Sequence, residues 1–222
     1  MSNLLIVPAA GMGRRLGRSE PKALAPLAGR PMIDWILDAL RGVPFARAVV
    51  AVPPERESEF EAVVAGRAAV ISGGETRAAS VRLALRFLDA DERDLVCIHD
   101  AARPLVSAGE TRAVLDAADR EGAAIAATPI PDTVKRVRSG YVVATVDRGG
   151  LVGAGTPQVF RADLLRRALA AGEEATDESS LLERLGIPVA IVEVSRLGFK
   201  ITTREDLEMA EAVLRNREST RS

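Results

Sequence analysis

The feature that most constrains this chain is the alternation of short apolar runs with segments of helical periodicity from the amino terminus to about residue 128. Leu4-Leu5-Ile6-Val7 is a continuous apolar run that leads into a glycine-rich loop, and similar runs recur at residues 48–52, 68–71, 95–99 and 123–128. Unbroken apolar runs of this length suit strands covered on both faces of a sheet. Between them lie helical patterns at residues 32–40, 57–64, 76–88 and 110–120, the last with Val114, Leu115 and Ala118 on one side. Repeated strand–helix–strand units predict a doubly wound, mainly parallel α/β sheet with helices on both faces.

The alternation stops after Pro129. Residues 132–137 and 141–147 are β-rich with polar alternation and are separated by Arg138-Ser139-Gly140, which predicts an antiparallel hairpin. Residues 130–155 are therefore expected to leave the main sheet as an arm. Helices are expected at 161–171 and 177–185, then a strand at 189–194. A last helix runs from Arg204 to about Arg215 with Thr203 as N-cap, followed by a polar, frayed tail over 216–222. With 222 residues, the chain has material for one sizeable domain over 1–222 with the arm inside it.

Composition removes several function classes. Charge is balanced at 30 basic against 31 acidic residues, net -1, which argues against a strongly basic nucleic-acid binder. Aromatic residues make up 3% of the chain, leaving little material for stacking single-stranded bases. One cysteine, Cys97, and one histidine, His99, exclude a disulfide framework, a Cys/His zinc site and a c-type haem. No charged n-region opens the chain and no apolar stretch approaches roughly 18 residues, so neither signal peptide nor membrane span is expected and a cytoplasmic protein is. Of the 30 basic residues only three are lysine, Lys22, Lys135 and Lys200.

Pro8-Ala9-Ala10-Gly11-Met12-Gly13-Arg14-Arg15-Leu16-Gly17 follows the first buried strand, where open α/β sheets place their ligands. Small residues let backbone approach a phosphate and aim N–H groups at it. A Walker loop would end in Gly-Lys-Ser/Thr, which is absent. A dinucleotide loop would read Gly-x-Gly-x-x-Gly, whereas here three residues separate Gly13 from Gly17. Arg14-Arg15 and Lys22 instead put cations beside the loop, which suits a polyphosphate.

These residues carry a resemblance. Pro8 to Arg15 with Pro21-Lys22 looks like the opening of the sugar-phosphate nucleotidyltransferases, and more closely resembles the 2-C-methyl-D-erythritol 4-phosphate cytidylyltransferase family of the non-mevalonate isoprenoid pathway. Further matching motifs occur in order: Gly73-Gly74-Glu75-Thr76-Arg77-x-x-Ser80-Val81, His99-Asp100-Ala101-Ala102-Arg103-Pro104, Asp132-Thr133-Val134-Lys135, Thr145-Val146-Asp147-Arg148, Thr156-Pro157-Gln158, Thr176-Asp177-Glu178 and Lys200-Ile201-Thr202. The resemblance implies a Rossmann-like nucleotidyltransferase fold with a protruding β-hairpin arm. The implied reaction is attack by the acceptor phosphate on the α-phosphorus of CTP, with pyrophosphate leaving. Such chemistry needs neutralised oxygens and in-line reactants more than proton transfer.

By the same resemblance Arg15, Lys22 and Lys200 are the catalytic cations on the triphosphate. Ala9, Ala10, Gly11, Gly13, Gly74 and Ser80 would hold the nucleotide, with Asp100 as Mg²⁺ ligand at the end of an apolar strand. Arg103, Thr133 and Arg148 would grip the polyol phosphate, with Thr133 and Arg148 carried by the arm into a second subunit, making a homodimer. His99 and Cys97 are read as packing residues. One stretch departs from the family. Before Lys200 the family has an acidic residue and an asparagine, while this chain reads Ser195-Arg196-Leu197-Gly198-Phe199. Arg and Leu accept no hydrogen bonds from a polyol. Another acceptor, such as ribitol 5-phosphate, or a non-catalytic nucleotide-binding protein are the alternatives.

Overall fold

The computed structural model describes residues 1–13, 20–171 and 175–219. Strand β1 (Asn3–Pro8) is followed by a short 3-10 turn (Lys22–Leu24) and a small ribbon, β2 (Pro26–Leu27) and β3 (Arg30–Pro31). Then come α1 (Met32–Leu40), β4 (Arg47–Val52), α2 (Glu57–Val64), β5 (Ala69–Ser72), α3 (Arg77–Leu88), β6 (Leu95–Ile98), α4 (Ala108–Glu121) and β7 (Ala123–Pro129). The second half holds β8 (Val134–Arg138), β9 (Tyr141–Val146), β10 (Val152–Arg161), α5 (Ala162–Ala170), α6 (Glu178–Arg184), β11 (Ala190–Glu193) and α7 (Arg204–Ser219).

Among the described residues, seven strands form the central sheet in the order β11-β7-β10-β6-β1-β4-β5. β1 lies between β4 and β6 and is parallel to both. Its side chains alternate between two cores, as the two-residue period of a strand demands. Leu5 and Val7 face α1, α2 and α4 through Ile33, Phe60 and Val114. Leu4 and Ile6 face α3, α5 and α6 through Val81, Leu165 and Leu182. Helices thus cover both faces, which is why the strands read as unbroken apolar runs. A third, smaller core of Leu27, Met32, Leu105, Ile201, Ala210 and Leu214 holds α7 against the ribbon.

Local sequence sets the helix ends. Thr76 caps α3 by accepting from the Ala79 N–H at 3.1 Å. Ser107 caps α4 by accepting from the Glu110 N–H at 3.2 Å, while its hydroxyl donates back to the Glu110 carboxylate at 2.7 Å. Thr203 caps α7 by accepting from Asp206 N–H at 3.2 Å. That helix continues to Ser219 rather than ending near Arg215, and takes in much of the segment read as a frayed tail.

The main departure concerns β10. Val152–Arg161 is antiparallel to both β6 and β7, with Val152 opposite Pro129 and Gln158 opposite Ile98. Residues 152–155, assigned from the sequence to the arm, therefore belong to the central sheet. Gly153, Gly155 and Pro157 break the apolar pattern, and the register shifts between Ala154 and Gln158. A strand held by two neighbours distant in sequence does not need a periodic signature of its own.

What leaves the sheet is the β8–β9 hairpin, a separate two-stranded sheet. Ser139 and Gly140 turn it with positive φ at both positions, 50° and 84°, as a two-residue primed turn requires. Val137, Tyr141, Val142 and Val143 are all more than half exposed.

Candidate active site

Open parallel sheets present loops at the carboxyl ends of their strands, and the cleft here lies beyond the ends of β1 and β6. It encloses about 310 Å³. Of the residues expected to bind nucleotide or act on it, Ala9, Ala10, Gly11, Gly13, Lys22, Gly74, Ser80, Asp100 and Lys200 all line it. Arg15 lies outside the described residues, as does its neighbour Arg14.

The described residues 11–13 and 20–22 of the glycine loop pair with each other. Gly13 N–H donates to Glu20 O and Lys22 N–H to Gly11 O, each at 3.0 Å, with Met12 bridged to Pro21. This pairing carries Lys22 back opposite Gly11. Ala9 N–H is bonded to Ala51 O at 2.7 Å, and Gly74 N–H to Ser80 Oγ at 3.1 Å. The amides of Ala9, Gly13 and Gly74 thus have partners within the chain, so these residues offer a ligand shape and close backbone rather than N–H donors.

Glycine is needed at 73 and 74 by contact. A Cβ on Gly73 would lie 2.9 Å from Ser80 Oγ, and one on Gly74 2.5 Å from the Ala79 Cβ. The buried Ser80 hydroxyl also donates to Thr76 O at 3.0 Å, tying the loop to the first turn of α3. At Gly11 a Cβ would meet nothing within 4 Å, so that glycine keeps cleft space open instead of relieving a clash.

Asp100 is the electrostatic centre. Its Oδ1 accepts from Nε and Nη2 of Arg77, both at 3.2 Å, and its Oδ2 accepts from Lys200 Nζ at 2.8 Å. Its own N–H donates to Thr156 Oγ1 at 3.0 Å. Burial alone would raise its pKa, but the charges of Arg77 and Lys200 bring it down to about 2. Arg77, quoted in the glycine motif without a role, also donates to Glu178, whose side chain is 2% exposed. Burial raises the Glu178 pKa against the opposing pull of Arg77. Arg77 and Glu178 are 101 residues apart, so only the folded chain shows that two of the motifs meet.

His99 and Cys97 are buried in the sheet. Burial pushes the Cys97 thiol upward and brings His99 down to about 4. The ring bonds through Nε2 to Arg103 O at 3.0 Å. A carbonyl only accepts, so the proton sits on Nε2. A neutral, enclosed imidazole that donates to backbone is a structural group, as expected.

Beside the cleft, with Lys200 in the shared wall, a second hollow of about 760 Å³ is lined by Arg103, Thr156, Arg196, Leu197 and Phe199 among others. Arg103 Nη1 donates to Gly198 O at 3.0 Å, fastening the 3-10 turn Arg196–Gly198. Thr133 and Arg148 line neither hollow. Arg148 folds back on the carbonyls of Ile130, at 3.2 Å, and Pro131. Thr133 precedes β8 and is exposed, while Lys135 bonds across the hairpin to Thr145 Oγ1 at 2.7 Å. Within one chain, then, the arm residues stand apart from the cations.

Comparison with known proteins agrees with this geometry. The family model for 2-C-methyl-D-erythritol 4-phosphate cytidylyltransferase matches residues 4–216. The protein of that name from Thermus thermophilus is 43% identical over 216 residues, covering 95% of this chain and 96% of the relative. That from Frankia casuarinae is 44% identical over 213 residues, covering 94% and 80%. A crystal structure of the Thermus thermophilus protein superposes with a TM-score of 0.82 at 39% identity, covering 97% of this chain and 100% of that one. A 4-diphosphocytidyl-2C-methyl-D-erythritol synthase gives 0.83 at 32% identity, covering 96% and 98%. A cleft lined by Lys22, Asp100 and Lys200 beside a glycine loop, in a chain matched nearly end to end, places this chain in the 2-C-methyl-D-erythritol 4-phosphate cytidylyltransferase family.

Proposed function

We propose that this chain transfers the cytidylyl group of CTP to 2-C-methyl-D-erythritol 4-phosphate, giving 4-diphosphocytidyl-2-C-methyl-D-erythritol and pyrophosphate. The observation that carries the reading is Lys22 and Lys200 in one cleft with the glycine loop and Asp100. An acceptor phosphate oxygen attacks the α-phosphorus, and the bond from that phosphorus to the oxygen bridging it to the β-phosphate breaks. The attacking oxygen is already anionic, so no general base is required and a neutral His99 is no handicap. Lys22, Lys200 and Arg15 are assigned to the triphosphate oxygens, where charge builds as pyrophosphate leaves.

Asp100 suits a magnesium ion. Among the described residues no cluster of three or more His, Cys, Asp or Glu is poised to hold a metal. Mg²⁺ commonly takes one or two carboxylates and completes its shell with substrate phosphates and water; Arg77 takes both lone pairs of Asp100 Oδ1, whereas Oδ2, which accepts from Lys200, keeps one. Bound there, the ion would neutralise phosphate charge. Lys200, docked on Asp100 in this structure, would then be free to reach the nucleotide phosphates.

The second hollow is assigned to the polyol phosphate, with Arg103 in its wall. Thr133 and Arg148 complete the acceptor site from a second copy, the exposed apolar residues of the arm being the surface that pairs. Use of CTP points to the cytoplasm as the place of action. The test is pyrophosphate release from CTP and Mg²⁺ with methylerythritol phosphate, ribitol 5-phosphate or arabinose phosphate. Release with methylerythritol phosphate alone is expected. Release with ribitol 5-phosphate alone would reassign the acceptor, and none with any of them would leave no transferase.

A further inference from the structure

Thr176-Asp177-Glu178 is a motif to which the nucleotide chemistry gives no task, and Glu178 does not line the cleft. Its carboxylate is nevertheless buried, 2% exposed, against Arg77. A buried carboxylate is costly unless paired, and a buried ion pair is weak evidence for stability by itself. The geometry gives this pair another use. Arg77 is forked: one Nη meets Glu178, while Nε and the other Nη meet Asp100 Oδ1. Glu178 thereby fixes the plane of the guanidinium, and the guanidinium fixes which oxygen of Asp100 is occupied from behind. The other, Oδ2, is left on the Lys200 side.

The charges reinforce the argument. Asp100 alone between Arg77 and Lys200 would sit in a locally cationic setting, which repels a dication. Glu178 cancels Arg77, so that once Lys200 moves to the phosphates Asp100 offers its full negative charge to the cleft. We propose that Glu178 is a positioning residue that acts through Arg77 to hold Asp100 ready for a divalent cation brought by the nucleotide. The proposal rests on the reading of Asp100 as magnesium ligand given above.

The test measures metal directly. Mn²⁺ is titrated into the full-length protein with saturating α,β-methylene CTP, an unreactive analogue, and free Mn²⁺ is read by electron paramagnetic resonance. Glu178→Gln should weaken Mn²⁺ binding about 10- to 100-fold, the usual cost of removing a partner that orients a metal ligand. Binding of the analogue without metal, measured by calorimetry in EDTA, should change less than about twofold. Arg77→Gln/Glu178→Gln, which removes both charges, should bind Mn²⁺ more tightly than Glu178→Gln alone, and it also serves if the single variant fails to fold. Unchanged Mn²⁺ affinity in folded Glu178→Gln, or a double variant no tighter than the single one, would overturn the proposal. Failure of the wild-type protein to release pyrophosphate would count against the proposed reaction alone, because Mn²⁺ binding is read without turnover.

Discussion

Replacing Gly11 by alanine should separate folding from nucleotide binding. A Cβ at this position meets no atom within 4 Å, and the backbone is outside the left-handed region. The substitution therefore removes no native contact and narrows the unfolded ensemble, a gain of about 0.4–1 kcal/mol. At about 2–4 °C per kcal/mol for a chain of this size, Tm should rise by roughly 1–4 °C. The methyl group, however, projects into a cleft of about 310 Å³ at the loop where phosphates are expected to approach closest. Overfilling a fitted site costs about 1–3 kcal/mol, which corresponds to an affinity for CTP and Mg²⁺ about 5- to 150-fold weaker. Thermal melting by circular dichroism and titration calorimetry read the two effects separately. Gly74→Ala is the contrast: its Cβ would lie 2.5 Å from the Ala79 Cβ and 3.2 Å from the Ala79 carbonyl carbon. The first turn of α3 must then move, lowering stability by about 1–3 kcal/mol. A Gly11→Ala protein that binds CTP like wild type would refute the placement of nucleotide on this loop.

Two further outcomes are expected. If sites are shared between subunits, mixing inactive Thr133→Ala and Lys200→Ala proteins should restore part of the activity, up to about one intact site per mixed dimer; verified mixed dimers without activity would assign the whole site to one chain. Asp100 has its pKa depressed from 3.8 to about 2, so its contribution to folding is present above about pH 4 and is lost as pH falls through about 2. The full contribution is about 2 kcal/mol, and the urea-stability gap between wild type and Asp100→Asn should narrow by about 1 kcal/mol from about pH 5 to about pH 3. A gap independent of pH would mean that Arg77 and Lys200 do not favour the ionised form.

How much of this was legible in the sequence depends on how local each signal is. β1, β4, β6 and β7 announce themselves because both of their faces are buried, so their inner positions form unbroken apolar runs. The start of α7 is legible from Thr203, and the hydroxyls of Thr76 and Ser107 set the starts of α3 and α4 in the same way, although α4 begins at Ala108, two residues before the helical pattern at 110–120. β10 escaped notice because it is specified by β6 and β7 on either side, not by a pattern of its own. In the site, Gly11, Lys22, Asp100 and Lys200 stand in recognisable motifs. The fork from Arg77 to Asp100 and Glu178 is invisible until helices α3 and α6 meet at the end of β6. The structure also qualifies the loop reading, since the amides of Ala9, Gly13 and Gly74 are bonded within the chain.

The antiparallel course of β10 has an evolutionary consequence. Because Val152 pairs with Pro129, β7 and β10 form a hairpin whose connecting loop is residues 130–151, the arm included. Lengthening such a loop costs only the logarithm of its size, and surface loops tolerate insertion and remodelling. The parallel strands that carry the glycine loop and Asp100 need not change when the arm does. Natural variation could therefore retune the arm, or its partner, independently of the fold that holds the cations.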